Sequence, residues 1–185
     1  MMGTERLVLR PFCDDDFPAV HAYGSDPEVV RFLPWGPNTE DDTRAFVSRT
    51  IEQRAANPRI DWDFAVTTKS DGALIGGCGI YVRNRGNREA ELGYCYARSV
   101  WGRGYATEAA RAVIGFGFAT LGMHRIVATC DVENVASARV LAKSGMQYEG
   151  RMREVLPVRG VWHDQFQWAI IDHEWSATTS RFTPS

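Results

Sequence analysis

The sequence predicts one mixed α/β domain, and three observations carry that reading. Helical apolar spacing dominates the first third, strand-like runs follow Asn57-Pro58, and a strand–helix–strand succession surrounds the strongest helix. The 185 residues show no internal repeat and no interdomain linker, so one core is expected over residues 1–176, with 177–185 as a frayed tail.

Arg6 to Pro11 alternates apolar and polar residues, the period of a strand. Asp14 to Asp16 suit a helix start, and Phe17, Val20 and Tyr23 follow at helical spacing. Ser25-Asp26-Pro27-Glu28 predicts a second helix start, with Pro27 early, where its missing N–H costs least. Phe32 to Pro37 breaks that pattern. Thr39 then caps a helix whose apolar face carries Phe46, Val47 and Ile51.

Trp62 to Thr68, Leu74 to Val82 and Glu89 to Ala97 read as strands, the first two joined through Ser70-Asp71-Gly72. Ala106 to Leu121 is the strongest helix: Ala106, Ala109, Ala110, Val113, Ile114, Gly117, Phe118 and Leu121 recur at its period. Arg125 to Cys130 is a further strand. Asn134 caps a short helix that stops at Gly145. Met146 to Glu149, Met152 to Val158 and Trp162 to Ile171 complete the strands, with Arg159-Gly160 as a turn.

Composition excludes several classes. Hydrophobic residues make up 44% and charged residues 24%, a globular balance, and the formal net charge of -2 lacks the basic excess of a nucleic-acid binder. No run approaches the length of a membrane span, and the first residues do not resemble a signal peptide. Cys13, Cys78, Cys95 and Cys130 form no metal-ligand spacing with one another or with the histidines, so no metal is expected. Free thiols in apolar runs fit a reducing, cytoplasmic setting.

The informative stretch is Trp101 to Ala109, WGRGYATEA, between a strand and the strongest helix. Gly102 and Gly104 flank Arg103 and let the backbone bend tightly. The first N–H groups of a helix have no partner within it and sit at the positive end of its dipole, which makes such a terminus a seat for a pyrophosphate. Arg103 adds charge and Thr107 a hydroxyl. Glycines in this spacing also serve ordinary turns.

This stretch resembles the pyrophosphate loop of the GNAT superfamily of N-acetyltransferases, Q/R-x-x-G-x-G/A. The pattern falls on Trp101, Gly102, Arg103, Gly104, Tyr105 and Ala106; Gly104 and Ala106 match, and Trp101 departs from Gln or Arg. The form WGRGYATEA is similar to the Rim-type branch, the ribosomal-protein alanine acetyltransferases. So are the downstream N-x-x-S at Asn134 to Ser137, Leu141 to Met146, Glu149-Gly150, and upstream LVLRPF, SDPEVVRFLPW and ELGY (Glu91 to Tyr94). The resemblance covers residues 6 to about 175. It implies a central, mostly antiparallel twisted sheet flanked by helices, in which two parallel strands, Glu89 to Ala97 and Arg125 to Cys130, splay apart. It also implies acetyl-CoA as cosubstrate, with its pantetheine arm on unpaired strand amides around Tyr94, Cys95, Tyr96 and Ala97. The acceptor is then a primary amine, first the N-terminal α-amine of a protein or peptide; the alternatives are a small amine such as an antibiotic, polyamine or metabolite, or a non-catalytic acyl-CoA-binding module. A homodimer is compatible with the family.

Transfer needs an unprotonated amine. An α-amine, with an ordinary pKa of about 7.7–8, costs roughly 1–1.4 kcal/mol to deprotonate at pH 7, and a lysine roughly 4.6. A modest base therefore suffices for the former. Strand alternation places Glu91 with Glu89, Gly93 and Cys95 on one face, and Glu91 is the candidate base; it could equally be a solvated strand carboxylate. With the resemblance, Ser137 is the candidate proton donor to the leaving thiolate and Asn134 a contact to the cofactor arm, although Asn134 is also a good helix cap and Ser137 could serve the first turn. Tyr148 is an alternative acid or a packing aromatic. Arg139 and Lys143 could reach the adenosine phosphate or lie in solvent. Cys95 beside a thioester could form an acyl-enzyme, but the resembled family transfers directly. The resemblance implies that the segment with Trp35, Glu40, Asp41 and Asp42 shapes the acceptor side, where the acids could attract a cationic acceptor or simply cap a helix. His163 could approach that cleft or make an ordinary side-chain hydrogen bond.

Overall fold

The computed structural model describes residues 1–175, so the segment 177–185 read as a tail lies outside the described residues. Among the described residues eight strands form one sheet: β1 (Met2–Gly3), β2 (Leu7–Arg10), β3 (Asp61–Thr68), β4 (Leu74–Asn84), β5 (Glu89–Tyr96), β6 (Arg125–Asp131), β7 (Gln147–Val158) and β8 (Val161–Ile171), in the order β1-β2-β3-β4-β5-β6-β8-β7. Every pairing is antiparallel except β5 with β6. The longer helices among the described residues are α1 (Phe17–Gly24), α2 (Glu40–Glu52), α3 (Tyr105–Ala119) and α4 (Val135–Lys143).

The two faces of the sheet carry separate cores. α3 buries Ala109, Ala110, Val113 and Ile114 with Ile80, Leu92, Ile126 and Ala128 on one face. Phe12, Val20, Tyr23, Val47 and Ala65 form a smaller cluster on the other, with Cys95 packed against it. The alternation predicted for β5 holds: Ala90, Leu92 and Tyr96 join the α3 core and Cys95 the opposite one. Small residues on α3 permit close approach to the sheet. A methyl group at Gly117 would stand 2.5 Å from Ile80 Cδ1 and 2.7 Å from Ile126 Cδ1.

Local chemistry explains the helix ends. Thr39 and Asp42 close a reciprocal cap on α2: Asp42 N–H donates to Thr39 Oγ1 at 3.2 Å, and Thr39 N–H to Asp42 Oδ2 at 2.9 Å. α3 ends earlier than its period suggests, because Gly122 at φ +66° turns the chain back.

Two sequence expectations need correction. Ser25 to Glu28 open no helix: Asp26 Oδ1 accepts from Glu28 N–H and the Asp26 carbonyl from Val29 and Val30, which makes a tight turn. A short polar side chain thus competes with the helix for backbone donors. The strands expected at Met146 to Glu149 and Met152 to Val158 are one strand, β7, with register shifts at Tyr148/Gly150 and Met152/Leu156. β1, too short to show a period, was not anticipated.

Candidate active site

β5 and β6 are paired only at Glu89↔Arg125, Ala90↔Ile126 and Glu91↔Val127. Beyond Glu91 the two strands separate, and β5 from Leu92 to Tyr96 has a partner on its β4 side alone. Ala97 N–H donates to the Ile75 carbonyl at 2.9 Å, so it is committed to the β4 side and is not one of the free amides expected there. Strand alternation then turns the Cys95 amide toward β4 as well and those of Tyr94 and Tyr96 toward the gap. The gap-side carbonyl of Tyr96 accepts from Trp101 Nε1 at 2.9 Å. Trp101 therefore braces the loop entrance onto the end of β5, a role that does not need the Gln or Arg of the usual pattern.

The loop beyond β5 has the geometry the glycines predicted. Gly102 has φ +75°, and Gly104, the residue preceding α3, has φ +81°, conformations that cost a side-chain-bearing residue about 1–2 kcal/mol. The first backbone bond of α3 is Glu108 N–H to the Gly104 carbonyl at 3.1 Å, so the amides of Tyr105, Ala106 and Thr107 have no partner within the helix. Arg103 is exposed beside them.

Sequence reasoning missed what locks this loop. Arg6 Nη1 donates to the Arg103 carbonyl at 3.0 Å, its Nε to Glu108 Oε2 at 2.7 Å, and its guanidinium lies 4.6 Å from the centre of the Tyr105 ring. Glu108 also accepts from Thr4 Oγ1 at 2.6 Å and Arg6 N–H at 2.8 Å. Burial pushes the Glu108 carboxyl up, but these hydrogen bonds outweigh it and hold the group below its ordinary value. Arg6 carried no signal beyond its place at the start of a strand, because its partners lie about a hundred residues away.

Ser137 and Asn134 stand on the opposite lip. Asn134 Oδ1 accepts from Ser137 N–H at 3.0 Å, the cap that residue chemistry alone had suggested. Ser137 Oγ is not consumed by the helix turn. It lies 2.8 Å from Tyr94 Oη, which also donates to the Ser137 carbonyl at 3.3 Å. The hydroxyl of Ser137 is thus held at the gap by a residue of β5. Burial drives the Tyr94 phenol above its ordinary range, with the Ser137 contact opposing, so Tyr94 stays protonated.

The other candidates separate. Glu91 lies at the last paired rung, and Arg83 Nε donates to its Oε2 at 2.7 Å. Burial pushes the Cys95 thiol up to about 12, which leaves almost no thiolate for an acyl-enzyme. Tyr148 is on β7, half-exposed, packed edge-on against Phe166 and Trp168 at 5.4 and 5.6 Å, with no hydrogen bond to Ser137 or Glu91. Arg139 and Lys143 are exposed. Glu40, Asp41 and Asp42 form the first turn of α2, where acids complement the dipole.

On the sheet face opposite α3, the segment that carries Trp35 bridges the gap. Asp26 pairs with Arg98, just past β5, at 3.4 Å. Further along, Val30 and Arg31 offer their carbonyls to Arg159 at the β7–β8 turn, at 2.8 and 3.2 Å. Trp35 is partly exposed in this bridge. On the face of β6 and β8 that alternates away from the α3 core stand Asp131, Gln165 and His163. His163 Nδ1 lies 2.6 Å from Asp131 Oδ2.

Among the described residues no three His, Cys, Asp or Glu could hold a metal, and no helix is long and apolar enough to cross a membrane.

A splayed parallel pair beside a bare helix terminus defines an acyl-transfer fold, and the comparisons with known proteins specify it. The chain belongs to the acetyltransferase (GNAT) domain family, which matches residues 6–147. It is 35% identical over 173 residues to the uncharacterized N-acetyltransferase YnaD of Bacillus subtilis (strain 168), covering 94% of this chain and 98% of that one. An acetyltransferase (GNAT family) from Bacillus anthracis has a similar structure, with a TM-score of 0.81 at 35% identity over 92% and 97% of the two chains. The fold is also that of spermidine N-acetyltransferase from Vibrio cholerae, solved in complex with CoA and spermine: TM-score 0.79 at 20% identity, over 92% and 98%. The protein is therefore an N-acetyltransferase. Acetyl-CoA, the family's cosubstrate, fits the unpartnered amides of α3 and the open edge of β5.

Proposed function

We propose that this enzyme acetylates the α-amine of a protein or peptide by direct attack in a ternary complex, as a Rim-type acetyltransferase of the cytoplasm. The observation that carries the direct route is the pair formed by Tyr94 and Ser137 across the gap, with Cys95 alongside as an unreactive thiol. The amides of Tyr105 to Thr107 receive the diphosphate, with Arg103 and the braced Trp101 loop beside them. The gap-side amides of Tyr94 and Tyr96 receive the pantetheine arm and polarise the thioester carbonyl. Ser137 donates a proton or a hydrogen bond to the departing sulfur. Asn134, engaged as a cap through Oδ1, keeps its amide N–H groups for the arm. The Trp35 segment forms the wall against which the acceptor lies.

The α-amine reading rests on the run of Rim-type motifs and on the small cost of deprotonating such an amine near neutral pH. A small polycationic amine is the second reading. It is favoured by the relative of like fold solved with CoA and spermine. Four free cysteines, Cys78 and Cys130 fully buried, suit the reducing cytoplasm. The test is thiol release from acetyl-CoA with Ala- and Ser-starting peptides, a polyamine and an aminoglycoside. A higher kcat/KM for the peptides supports the α-amine reading, a higher value for a polyamine or aminoglycoside transfers the assignment to small amines, and no release with any of them removes it.

A further inference from the structure

The proposed reaction needs a proton acceptor, and Glu91 is poorly suited to that task. Its carboxylate is held at 2.7 Å by the Arg83 guanidinium, at the narrow end of the gap. That contact occupies Oε2, one of the two oxygens that could accept the proton of an amine.

Four residues past the last paired rung, Glu91↔Val127, the two lips reach Cys95 on β5 and Asp131 on β6, on the same side of the sheet. Asp131 is 2% exposed and already engaged, its Oδ1 accepting from Glu133 N–H at 2.8 Å. Its Oδ2 lies 2.6 Å from His163 Nδ1. An ionised carboxylate only accepts, so Nδ1 carries the proton of that bond, and the neutral tautomer leaves its lone pair on Nε2. No hydrogen bond to Nε2 is present among the described residues, and the ring retains 26% exposure. Gln165, two residues along β8 and directly across from Asp131, is 4% exposed with Nε2 unpartnered. A buried amide donor without an acceptor is costly, and it marks a place where a bound molecule can supply one.

We infer that His163 is the catalytic base for the acceptor amine and that Asp131 is its positioning residue. The inference rests on the acetyl-transfer reading above. The amine nitrogen attacks the thioester carbonyl carbon. Before that attack His163 Nε2 takes the proton that holds the acceptor as an ammonium, and as the C–N bond forms and the C–S bond breaks the nitrogen sheds its second proton to solvent. The electron pair of the broken bond leaves on sulfur, which takes its proton from Ser137 or solvent. Asp131 fixes the tautomer and stabilises the imidazolium that results. An imidazole nitrogen with a free lone pair takes such a proton directly, without an intervening water.

The test compares two acceptors in wild type, His163→Gln and Asp131→Asn. One is whichever amine wild type acetylates best. The other is its hydrazide analogue, whose nitrogen is already unprotonated at neutral pH. With His163→Gln, kcat on the amine is expected to fall about 10²- to 10⁴-fold, and on the hydrazide far less, with acetyl-CoA affinity unchanged. Asp131→Asn gives the same selectivity with a smaller loss. Should that buried variant misfold, His163→Gln decides alone. Equal losses on both acceptors, or none, overturn the inference while leaving acetyl transfer intact. Absence of wild-type turnover on any amine removes the proposed function and the base with it.

Discussion

Tyr94 Oη and Ser137 Oγ face each other at 2.8 Å across the gap between β5 and the start of α4. Tyr94 also keeps a bond to the Ser137 carbonyl, so removing the serine hydroxyl does not orphan the phenol. Ser137→Ala is therefore expected to lower kcat roughly 10²-fold while leaving the Kd for acetyl-CoA nearly unchanged. Steady-state kinetics with calorimetry checks this; a change in affinity alone would remove the proton-donor role.

Gly104 holds φ +81° immediately before the bare amides of α3. A methyl group there meets only Arg6 Nη2 at 3.4 Å, so Gly104→Ala acts through backbone strain, not crowding. The strain of about 1–2 kcal/mol shifts the loop and should weaken acetyl-CoA binding about ten-fold. Calorimetric titration reads it directly.

Gly76 faces Tyr96 across β4 and β5, and a methyl group there would sit against the Cys95 carbonyl and 2.5 Å from Tyr96 Cδ1. Backbone cannot yield as a side chain does, so Gly76→Ala should cost about 1–3 kcal/mol or more. Gly150→Ala, where nothing lies within 4 Å, is the control. Thermal unfolding should lower the Tm of the first variant far more than that of the second.

Arg10 and Asp16 join β2 to the turn before α1 with paired bonds of 2.7 and 2.6 Å. Burial pushes the Asp16 carboxyl up, but the Arg10 fork and the Cys13 N–H more than offset it and hold it below the usual aspartate range. A depressed carboxyl stabilises the fold above its unfolded-chain value and loses that contribution as pH falls through the folded one. The wild-type Tm should drop on acidification below about pH 4. Asp16→Asn should melt lower at pH 7, by the equivalent of about 3 kcal/mol, and change less on acidification.

Arg159 ties the β7–β8 turn to the carbonyls of Val30 and Arg31. Arg159→Ala releases one end of the segment that bears Trp35. The expected result is a raised KM for the amine with the KM for acetyl-CoA unaltered, from initial rates with each substrate varied in turn.

Much of this enzyme was legible as local signal. Periodicity located α3 and most strands, Thr39 marked the cap of α2, and two glycines around Arg103 announced a bent loop with bare amides, because each signal is complete within a few residues. Ser25 to Glu28 misled for the same local reason: acid and proline favour a helix start, yet the Asp26 side chain and its tie to Arg98 close a turn instead. What only the tertiary structure decided is which distant groups meet. Tyr94 reaches Ser137 over 43 residues, Asp131 reaches His163 over 32, and Arg159 reaches Val30 over 129. Sheet order and register set those meetings, and both are fixed by packing two cores against opposite faces, which no short stretch of sequence can express.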